Sequence, residues 1–214
     1  MTQSLSVNWY DLDQGLLEQV QEDEQPRFHI YPYPDRAVVA GRGSCLETEI
    51  HLDRCRRDGI PVLRRRGGGC AVYLDQGNLI VSAVFPAPGI GNIQTLFSRC
   101  TQWLISGLKK LGMAHLYSDG ISDLVLDDLK VGGSCFYRSK GVGYFSASLL
   151  YAPDIQSMER YLKMPPRSPD YRKHRVHSAF VAPLYPHLEM GSLDGFIRSL
   201  TPALEAELEH LSHH

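Results

Sequence analysis

The chain has 214 residues, of which 43% are hydrophobic and 21% charged, and its formal net charge at pH 7 is −2. These values are typical of one globular domain with a substantial core, and they argue against a general nucleic-acid binder, which would be basic overall. The amino terminus lacks the basic and apolar segments of a secretory signal, and no apolar run is long enough to cross a bilayer. We therefore expect a cytoplasmic protein that does not require a membrane.

The spacing of cysteines and histidines predicts neither disulfides nor a metal site. The five cysteines are odd in number, widely spaced and without a C-x-x-C pair, so reduced thiols are expected. His174 and His177 lie three residues apart in a charged segment, and His210, His213 and His214 crowd the end of the sequence. We expect no metal ion held by protein side chains.

The first half of the chain predicts a series of helices and strands. The apolar positions of residues 8–24 predict an amphipathic helix, and "RFHIYPYP" and "AVVAGRG" predict strands on either side of a Pro-Asp turn. Residues 46–59 predict a helix that ends at Gly59. "IPVLRRR", "AVYLD" and "NLIVSAVF" then predict strands around a glycine-rich loop and an Asp-Gln-Gly-Asn turn.

The second half begins with the longest predicted helix, residues 92–112, with Asn92 as its N-cap and Gly112 as its terminator. Four β-rich segments between residues 115 and 151 predict an antiparallel meander. Shorter helices near residues 154–162 and 193–210 flank a loop rich in proline, arginine and histidine. Together these elements predict a single α+β domain over residues 1–214, with a mainly antiparallel mixed sheet flanked by helices.

The stretch "RRRGGGCAVYLDQGNL", residues 64–79, joins a positive cluster to three glycines. Glycine lets backbone N–H groups approach a ligand closely, and arginine binds carboxylate or phosphate oxygens with two hydrogen bonds. The stretch therefore predicts an anion-binding loop; the alternative is a flexible hairpin with solvated arginines. It is not a P-loop, since no Gly-Lys-Ser/Thr follows, and not a dinucleotide fingerprint, since no helix pattern starts after the glycines.

A second stretch, "SDLVLDDLKVGGSCF", places Lys130 shortly before Gly132, Gly133 and Ser134. A lysine beside glycine backbone can neutralise charge that develops on a phosphate or acyl oxygen, and Asp123 would position the lysine or a ligand hydroxyl. The alternative is a hairpin with an exposed lysine and a Gly-Gly bulge.

In this order the two stretches resemble the lipoate-protein ligase A family, within the biotin/lipoate ligase-like fold. The first family motif is a double arginine followed after one residue by Ser-Gly-Gly-Gly-Ala-Val-x-His-Asp-x-Gly-Asn. Its counterparts here are Arg64-Arg65, Gly67-Gly68-Gly69-Cys70, Ala71-Val72, Leu74-Asp75 and Gly77-Asn78. The second motif, Gly-x-x-Asp-Leu followed by Lys-x-x-Gly-Ser-Ala, is matched by Gly120, Asp123-Leu124, Lys130, Gly133-Ser134 and Cys135. The resemblance runs from about residue 8 to residue 200.

The resemblance implies an enzyme that uses ATP and Mg²⁺ to activate lipoate or octanoate as an acyl-adenylate such as lipoyl-AMP. The acyl group then passes to a lysine of a lipoyl-acceptor domain, in acyltransferase subunits of 2-oxoacid dehydrogenases or in the glycine-cleavage H protein. Lys130 is implied to be the catalytic residue that contacts the acyl carbonyl and the α-phosphate. The residues implied to bind the acyl group and the nucleotide are Arg64, Arg65, Gly67, Gly68, Gly69, Cys70, Ala71, Asn78, Asp123, Gly133, Ser134 and Ser148.

The chain departs from the family pattern in four ways. Cys70 replaces the third glycine, and Leu74 replaces the histidine before the aspartate. "FSAS" at residues 145–148 replaces His-His-Gly-Thr, with Ser148 in place of the threonine. The sequence also ends without the accessory domain, about a hundred residues long, of two-domain ligases. We expect either a separately encoded accessory subunit or the loss of adenylation in favour of acyl transfer alone.

Two alternatives remain open. One is an octanoyl- or lipoyl-transferase that holds the acyl group as a thioester on Cys135 or Cys70. Relatives of that kind carry their cysteine in the segment that is "AHLYSDGISD" here, which has none, and Cys135 takes the place of a small alanine. The other alternative is a non-catalytic protein that binds lipoyl or acyl groups. The positive charge beside the glycine loop favours catalysis over such a binder.

The loop "PPRSPDYRKHRVHSAF", residues 165–180, concentrates six basic side chains, which are Arg167, Arg172, Lys173, His174, Arg175 and His177. We hypothesise that this loop closes over the adenylate phosphates or meets an acidic acceptor domain, since acidic acceptors come with the family resemblance. The alternative is a solvated, mobile loop.

Overall fold

The structure is a computed structural model that describes residues 7–89, 91–188 and 192–212. The strands are β1 Asn8–Trp9, β2 Arg27–Pro32, β3 Ala37–Ala40, β4 Val62–Arg64, β5 Val72–Leu74, β6 Asn78–Pro86, β7 Tyr117–Asp119, β8 Asp123–Leu126, β9 Leu129–Ser139 and β10 Val142–Leu150. The helices are α1 Gln14–Asp23, α2 Leu46–Glu49, α3 Leu52–Asp58, α4 Ile93–Lys110, α5 Ile155–Tyr161, α6 His177–Phe180 and α7 Leu193–Glu205. Short 3₁₀ turns cover Asp170–Arg172, Tyr185–His187 and Leu208–Leu211.

The strands form two sheets. In the large sheet, ordered β2-β6-β10-β9-β8-β7, all neighbours are antiparallel, and β7 to β10 form the predicted meander. In the small sheet, ordered β1-β4-β3-β5, β4 lies parallel to β1 and β3, while β5 is antiparallel to β3. The predicted α+β class, with a mainly antiparallel sheet flanked by helices, is confirmed, and the small sheet supplies the mixed part.

The large sheet separates two layers, because alternate residues of a strand face opposite sides. One face packs against α4 and α7 through Leu79, Val81, Ala83, Phe85, Phe145, Ala147 and Leu149. The other face packs against α1 and the small sheet through Ile80, Val84 and Tyr144. Because both faces are covered, β6 is buried from its first residue to Phe85. The face toward α1 and the small sheet is the one that carries the site.

The amino-terminal segment is not the single helix predicted for residues 8–24. Its first residues form β1, where Asn8 lies opposite Leu63 of β4, and the helix begins only at Gln14. Backbone pairing at the edge of the small sheet overrides the helical periodicity. Trp9 is therefore half-exposed, and its ring lies 5.4 Å from the guanidinium of Arg66 instead of in the core.

The predicted helix over residues 46–59 is interrupted. α2 ends at Glu49 and α3 begins at Leu52, because Ile50 forms an antiparallel bridge with Leu162 and leaves the helical conformation. Gly59 ends α3 in the left-handed conformation, at φ 66°, as predicted.

Individual residues mark the end of α4 and the starts of α4, α5 and α7. Gly112 follows α4 at φ 98°, as predicted for its terminator. The predicted cap of α4 is wrong, because Asn92 is left-handed at φ 56° and its side chain makes no capping hydrogen bond. Asp154 and Ser192, by contrast, cap α5 and α7 with side-chain oxygens that accept backbone hydrogen bonds from the first turn.

Among the described residues, no helix combines the length and the hydropathy needed to cross a membrane.

Candidate functional site

A cleft of about 630 Å³ opens between the large sheet, the small sheet and α1. The predicted site residues that line it are Arg65, Gly67, Gly68, Gly69, Cys70, Ala71, Asn78, Asp123, Lys130, Gly133, Ser134 and Ser148. The fold therefore brings the glycine-rich stretch and the lysine stretch together, although α4 separates them along the chain. Arg64 is the predicted residue that does not line the cleft.

Arg64 and Arg65 point in different directions, as adjacent residues at the end of a strand do. The guanidinium of Arg65 donates hydrogen bonds to the carbonyl oxygens of Val39, Gly68 and Cys70, at 2.9, 2.7 and 2.8 Å, and thereby holds the glycine loop against β3. Arg64 donates instead to the carbonyl oxygens of the turn at residues 41–44. Arg65 therefore holds the glycine loop in position at the cleft, whereas Arg64 holds the turn at residues 41–44, and its own side chain does not line the cleft.

Glu49 is a site residue that the sequence pattern did not reveal. Its buried carboxylate lines the cleft, and Oε2 accepts hydrogen bonds from the Ala71 backbone N–H at 2.6 Å and from the Ser44 hydroxyl at 2.9 Å. This anchors the carboxyl end of the glycine loop. The signal in the sequence is weak, since it consists of one acidic residue three positions after Leu46 on the buried side of a predicted helix.

Two glycines allow the loop to pack directly on its neighbours. A Cβ at Gly41 would lie 2.0 Å from the carbonyl oxygen of Gly69, and a Cβ at Gly67 would lie 2.7 Å from Sγ of Cys135. Neither distance leaves room for a side chain. The glycines in and beside the loop therefore serve close packing as well as ligand approach.

Lys130 and Asp123 form an ion pair in the cleft wall. Nζ of Lys130 lies 2.6 Å from Oδ1 of Asp123, and Oδ2 accepts a hydrogen bond from the Tyr171 hydroxyl at 2.9 Å. The two strands that carry the pair, β8 and β9, shift register beside them. The ammonium group is held beside the backbone of Gly133, where a Cβ would lie only 3.3 Å from it. Of the two roles that the sequence left open for Asp123, the ion pair is compatible with the positioning of Lys130.

Arg172 supplies a second fixed cation. It is 4% exposed, lines the cleft, and lies with its guanidinium 4.5 Å from the ring centroid of Phe180. Nε donates to the carbonyl oxygen of Arg175 at 2.9 Å, while Nη2 is buried without a hydrogen-bond partner. Burial lowers the pKa of Arg172, but arginine stays protonated at neutral pH. The alternative of a solvated loop is therefore wrong at this residue.

Asn78 connects the turn after β5 to the large sheet. Its Oδ1 accepts a hydrogen bond from the Asp75 backbone N–H at 2.9 Å, and its Nδ2 donates to the Ser148 hydroxyl at 3.0 Å. The Asp-Gln-Gly-Asn turn is thus tied to β10 at the residue that replaces the family threonine. This contact fixes the position of the Ser148 side chain, which lines the cleft.

Metal ligands do not converge in the part of the chain that the structure describes. No group of three or more His, Cys, Asp or Glu side chains there is close enough to hold an ion. His213 and His214 lie outside the described residues.

Comparison with protein families decides the identity of the domain. The model of the lipoyl protein ligase A/B catalytic domain matches residues 7–205, which is nearly the whole chain. The chain belongs to this lipoyl ligase family.

Curated relatives of this lipoyl ligase family member are longer than the chain. The lipoate-protein ligase A subunit 1 of Thermoplasma acidophilum is 27% identical over 162 residues, which cover 72% of this chain and 61% of that protein. The lipoate–protein ligase of Streptococcus pyogenes is 33% identical over 135 residues, which cover 63% of this chain and 39% of that protein. The chain thus matches less than two thirds of either relative.

Solved lipoate ligases share the fold. A chain of the bipartite lipoate protein ligase and E2 lipoyl domain system of Thermoplasma acidophilum superimposes with a TM-score of 0.77 at 24% identity, covering 92% of this chain and 76% of that one. A lipoate-protein ligase A bound with ATP gives a TM-score of 0.74 at 24% identity, covering 92% and 78%. The predicted biotin/lipoate ligase-like fold is confirmed.

The departures from the family motif have distinct structural consequences. Leu74, in place of the histidine, is buried in the cluster between the small sheet and β6. Phe145 faces the α4 layer, while Ser146 and Ser148 line the cleft. The cleft of this family member therefore carries two small hydroxyls, those of Ser146 and Ser148, at positions where the family pattern has a histidine and a threonine.

The cysteines of this family member are all free thiols. Sγ of Cys135 packs against Gly67, and burial raises the pKa of its thiol, while Arg65 opposes that rise. A thiol with a raised pKa is a poor nucleophile, because the thiolate is the reactive form. Cys70 lines the cleft with Sγ 3.9 Å from the Arg167 carbonyl oxygen. The environment of Cys135 disfavours the thioester alternative.

Removing both cleft thiols tests that alternative directly. The Cys70→Ser/Cys135→Ala double variant is expected to keep acyl transfer within about tenfold of wild type, since loss of a true covalent nucleophile would cost several orders of magnitude. Acyl transfer is measured as the mass gain of a lipoyl domain. Loss of transfer in a double variant that still binds acyl-adenylate would reinstate a thioester route.

Burial of His177 makes the unfolding free energy of the protein depend on pH. Burial, with Arg172 and Lys130 acting in the same direction, lowers the pKa of His177 to about 4, while Glu159 opposes the shift. The unfolded state therefore takes up the proton first as pH falls, so this contribution is complete above about pH 6.5 and is lost toward pH 4. Between pH 7.5 and 5, wild type is expected to lose on the order of 1 kcal/mol more unfolding free energy than His177→Gln. Urea titrations of both proteins measure the difference, and equal losses would contradict it.

Proposed function

We propose that the chain is the catalytic domain of a lipoate-protein ligase, which joins lipoate or octanoate to a lysine of a lipoyl-acceptor domain through an acyl-adenylate. The observation that carries this proposal is the juxtaposition in one cleft of the glycine-rich loop, the Lys130–Asp123 pair and the buried Arg172. Together they provide positive charge and backbone donors in one cleft, as the mixed anhydride of an acyl-adenylate requires. We further propose that residues 1–214 act as one domain, in the cytoplasm.

In the first step, an oxygen of the acyl carboxylate attacks the α-phosphorus of ATP, and pyrophosphate leaves with the electron pair of the broken P–O bond. Lys130 would contact both the acyl carbonyl oxygen and the α-phosphate, since Asp123 holds its ammonium group in the cleft wall. A cation fixed in this way stabilises the charge that builds on those oxygens in the transition state. Arg172 has an unused N–H at Nη2 for a phosphate oxygen.

In the second step, the neutral amine of the acceptor lysine attacks the acyl carbonyl carbon, and an amide bond forms as the bond between that carbon and the AMP oxygen breaks. AMP leaves with the electron pair of the broken bond, and the proton lost by the amine passes to the released phosphate or to water. Lys130 would stabilise the oxyanion in this step as well. The polar groups of Arg65 and Glu49 are engaged with the backbone of the glycine loop and its neighbours, so both would act on the reacting atoms through that loop. We assign both as positioning residues.

Mg²⁺ would enter the cleft with ATP and neutralise part of the triphosphate charge. Asp123 is already bonded to Lys130 and Tyr171, and the described residues hold no three-ligand group. These residues fit an ion that is bound mainly by phosphate oxygens and water, as is common for Mg²⁺. No step above depends on a protein ligand to the metal.

The names of the relatives support the substrates of this proposal. The curated relatives are lipoate-protein ligases, and one solved protein of the same fold is bound with ATP. The Thermoplasma relatives are a lipoate-protein ligase A subunit 1 and a bipartite lipoate protein ligase that is described together with its E2 lipoyl domain. We therefore propose that this chain also works with a separate accessory subunit and modifies E2-type lipoyl domains and H protein.

The surface beside the cleft supports an acidic acceptor. Arg167, Lys173 and His174 are exposed, and Arg167 also lines the cleft. Positive charge at this place would attract an acidic acceptor domain and speed its association at low ionic strength.

The experiment that tests the proposal is the intact mass of a lipoyl domain and of H protein after incubation with the chain, Mg-ATP and lipoate or octanoate. Parallel reactions contain lipoyl-AMP or octanoyl-carrier protein as the donor. A gain of one acyl group with ATP supports a self-sufficient ligase, and a gain only with lipoyl-AMP supports a transfer domain that needs its partner for adenylation. A gain only from octanoyl-carrier protein, or none from any donor, would reject the ligase.

A further inference from the structure

The short helix α6 places His177 in the cleft wall near Lys130. The carbonyl oxygen of His177 accepts a hydrogen bond from the Val181 backbone N–H at 2.9 Å. Val181 forms a parallel bridge with Lys130, and the Ala182 N–H donates to the Lys130 carbonyl oxygen at 2.9 Å. Residues four apart in a helix share a face and lie about 6 Å apart along its axis. His177 is therefore one helical turn from the backbone partner of Lys130, and both residues line the cleft.

Contacts at both ends of α6 hold the helix in this position. At its start, Oε1 of Glu159 in α5 accepts hydrogen bonds from the Ser178 backbone N–H at 2.9 Å and from the Ser178 hydroxyl at 2.7 Å. At its end, Phe180 is buried, and the centroid of its ring lies 4.5 Å from the guanidinium of Arg172. The backbone of His177 is thus fixed from two sides, as a residue that must meet a reacting atom requires.

The charged groups that face His177 come from three parts of the chain. Burial lowers the pKa of His177 to about 4, and the cations Arg172 and Lys130 act in the same direction. Glu159 opposes them, and Lys130 is itself paired with Asp123. Within the described residues, no hydrogen bond to the imidazole ring contributes to this shift. The ring is therefore neutral at pH 7 and has one unprotonated nitrogen that can accept a proton.

The proposed reaction brings an anion to these groups. The phosphate of an acyl-adenylate beside Lys130 and Arg172 would offset their positive charge and so raise the pKa of His177 toward its ordinary value. A base is most effective when its pKa lies near the working pH. The leaving group itself would thus increase the basicity of His177 when the acyl-adenylate is bound.

We propose that His177 is the general base of the second step, an inference that rests on the proposed function. As the amine of the acceptor lysine bonds to the acyl carbon, a proton moves from its nitrogen to the unprotonated ring nitrogen of His177. The bond between that carbon and the AMP oxygen breaks, and its electron pair stays on the oxygen. The imidazolium then passes the proton to the released phosphate or to water. The first step moves no proton, so His177 has no part in it.

The test is single-turnover transfer from preformed lipoyl-AMP to a lipoyl domain, followed by intact mass. His177→Gln and His177→Ala are expected to slow transfer by about 100-fold or more, the usual contribution of a general base. Their dissociation constants for a sulfamate analogue of lipoyl-AMP, measured by calorimetry, are expected to stay within about threefold of wild type, because a base acts mainly in the transition state. The matched control is His115→Ala. His115 is exposed outside the cleft, so this variant should transfer at the wild-type rate.

Added imidazole distinguishes a base from a residue that only supports the structure. His177→Ala leaves space in the cleft wall for a small ring, and imidazole is expected to restore its transfer rate by about tenfold or more. Pyrazole, which has the same ring size but is a much weaker base, is expected to restore none. Equal rescue by both compounds, or no rescue by imidazole, would overturn the assignment.

Two further results would reject His177 as the base while the proposed function stands. One is transfer by either His177 variant at more than about a fifth of the wild-type rate. The other is a loss of affinity for the sulfamate analogue as large as the loss of rate, because it would show a disturbed site. If wild type transfers no acyl group from lipoyl-AMP, the proposed function fails and the inference fails with it.

Discussion

Replacement of Lys130 by methionine is expected to lower the rate of acyl-adenylate formation by roughly 100- to 1000-fold, the usual cost of removing one fixed electrostatic group from an active site. Methionine keeps most of the side-chain volume, so the change removes the charge that Asp123 holds 2.6 Å from its carboxylate. The rate is measured as lipoate-dependent release of pyrophosphate from ATP. Transfer from lipoyl-AMP to a lipoyl domain should fall as well, since we propose that the same cation acts in both steps.

The matched control for Lys130 is Lys109→Met. Lys109 is exposed in the last turn of α4, outside the cleft, so this variant should react at the wild-type rate. Thermal unfolding of both variants separates lost catalysis from lost structure, because Lys130→Met leaves Asp123 without its ion-pair partner. A folded Lys130→Met protein that forms acyl-adenylate at more than a tenth of the wild-type rate would contradict the role assigned to Lys130.

Gly41→Ala is expected to reduce acyl transfer by about 100-fold or more, although Gly41 is not among the residues that line the cleft. Its new Cβ would lie 2.0 Å from the Gly69 carbonyl oxygen and 3.3 Å from Nη2 of Arg65. The glycine loop must move to relieve this contact, and a displacement of about 1 Å in a catalytic site costs around 100-fold in rate. The measurement is steady-state transfer with Mg-ATP and lipoate.

Gly43→Ala provides the control for Gly41→Ala within the same turn. A Cβ at Gly43 meets no atom within 4 Å, and Gly43 is exposed. This variant should keep wild-type activity and match or slightly exceed wild-type stability, because alanine restricts the unfolded chain. Equal activity in the two variants would show that the packing of β3 against the loop does not control the site.

Much of the fold followed from local patterns. The glycine-rich stretch, the lysine stretch and the antiparallel meander were all predicted, because alternation of apolar residues and turn chemistry are properties of short segments. The predictions failed where distant segments compete with local preference. β1 pairs with β4 instead of extending α1, and Ile50 pairs with Leu162 and interrupts the helix.

For the candidate site, too, some residues were predicted from local sequence patterns and others were found only in the tertiary structure. The sequence by itself determined which residue types stand in the two motifs, and hence predicted Arg65, Lys130 and Asp123 as residues of a site for an anionic group. Only the tertiary structure decided that Arg64 turns away from the cleft, and that Glu49, Arg172 and Asp13 face it. Each of these charged groups needs partners that lie far away along the chain, and a buried charge is stable only where packing brings those partners within hydrogen-bonding distance.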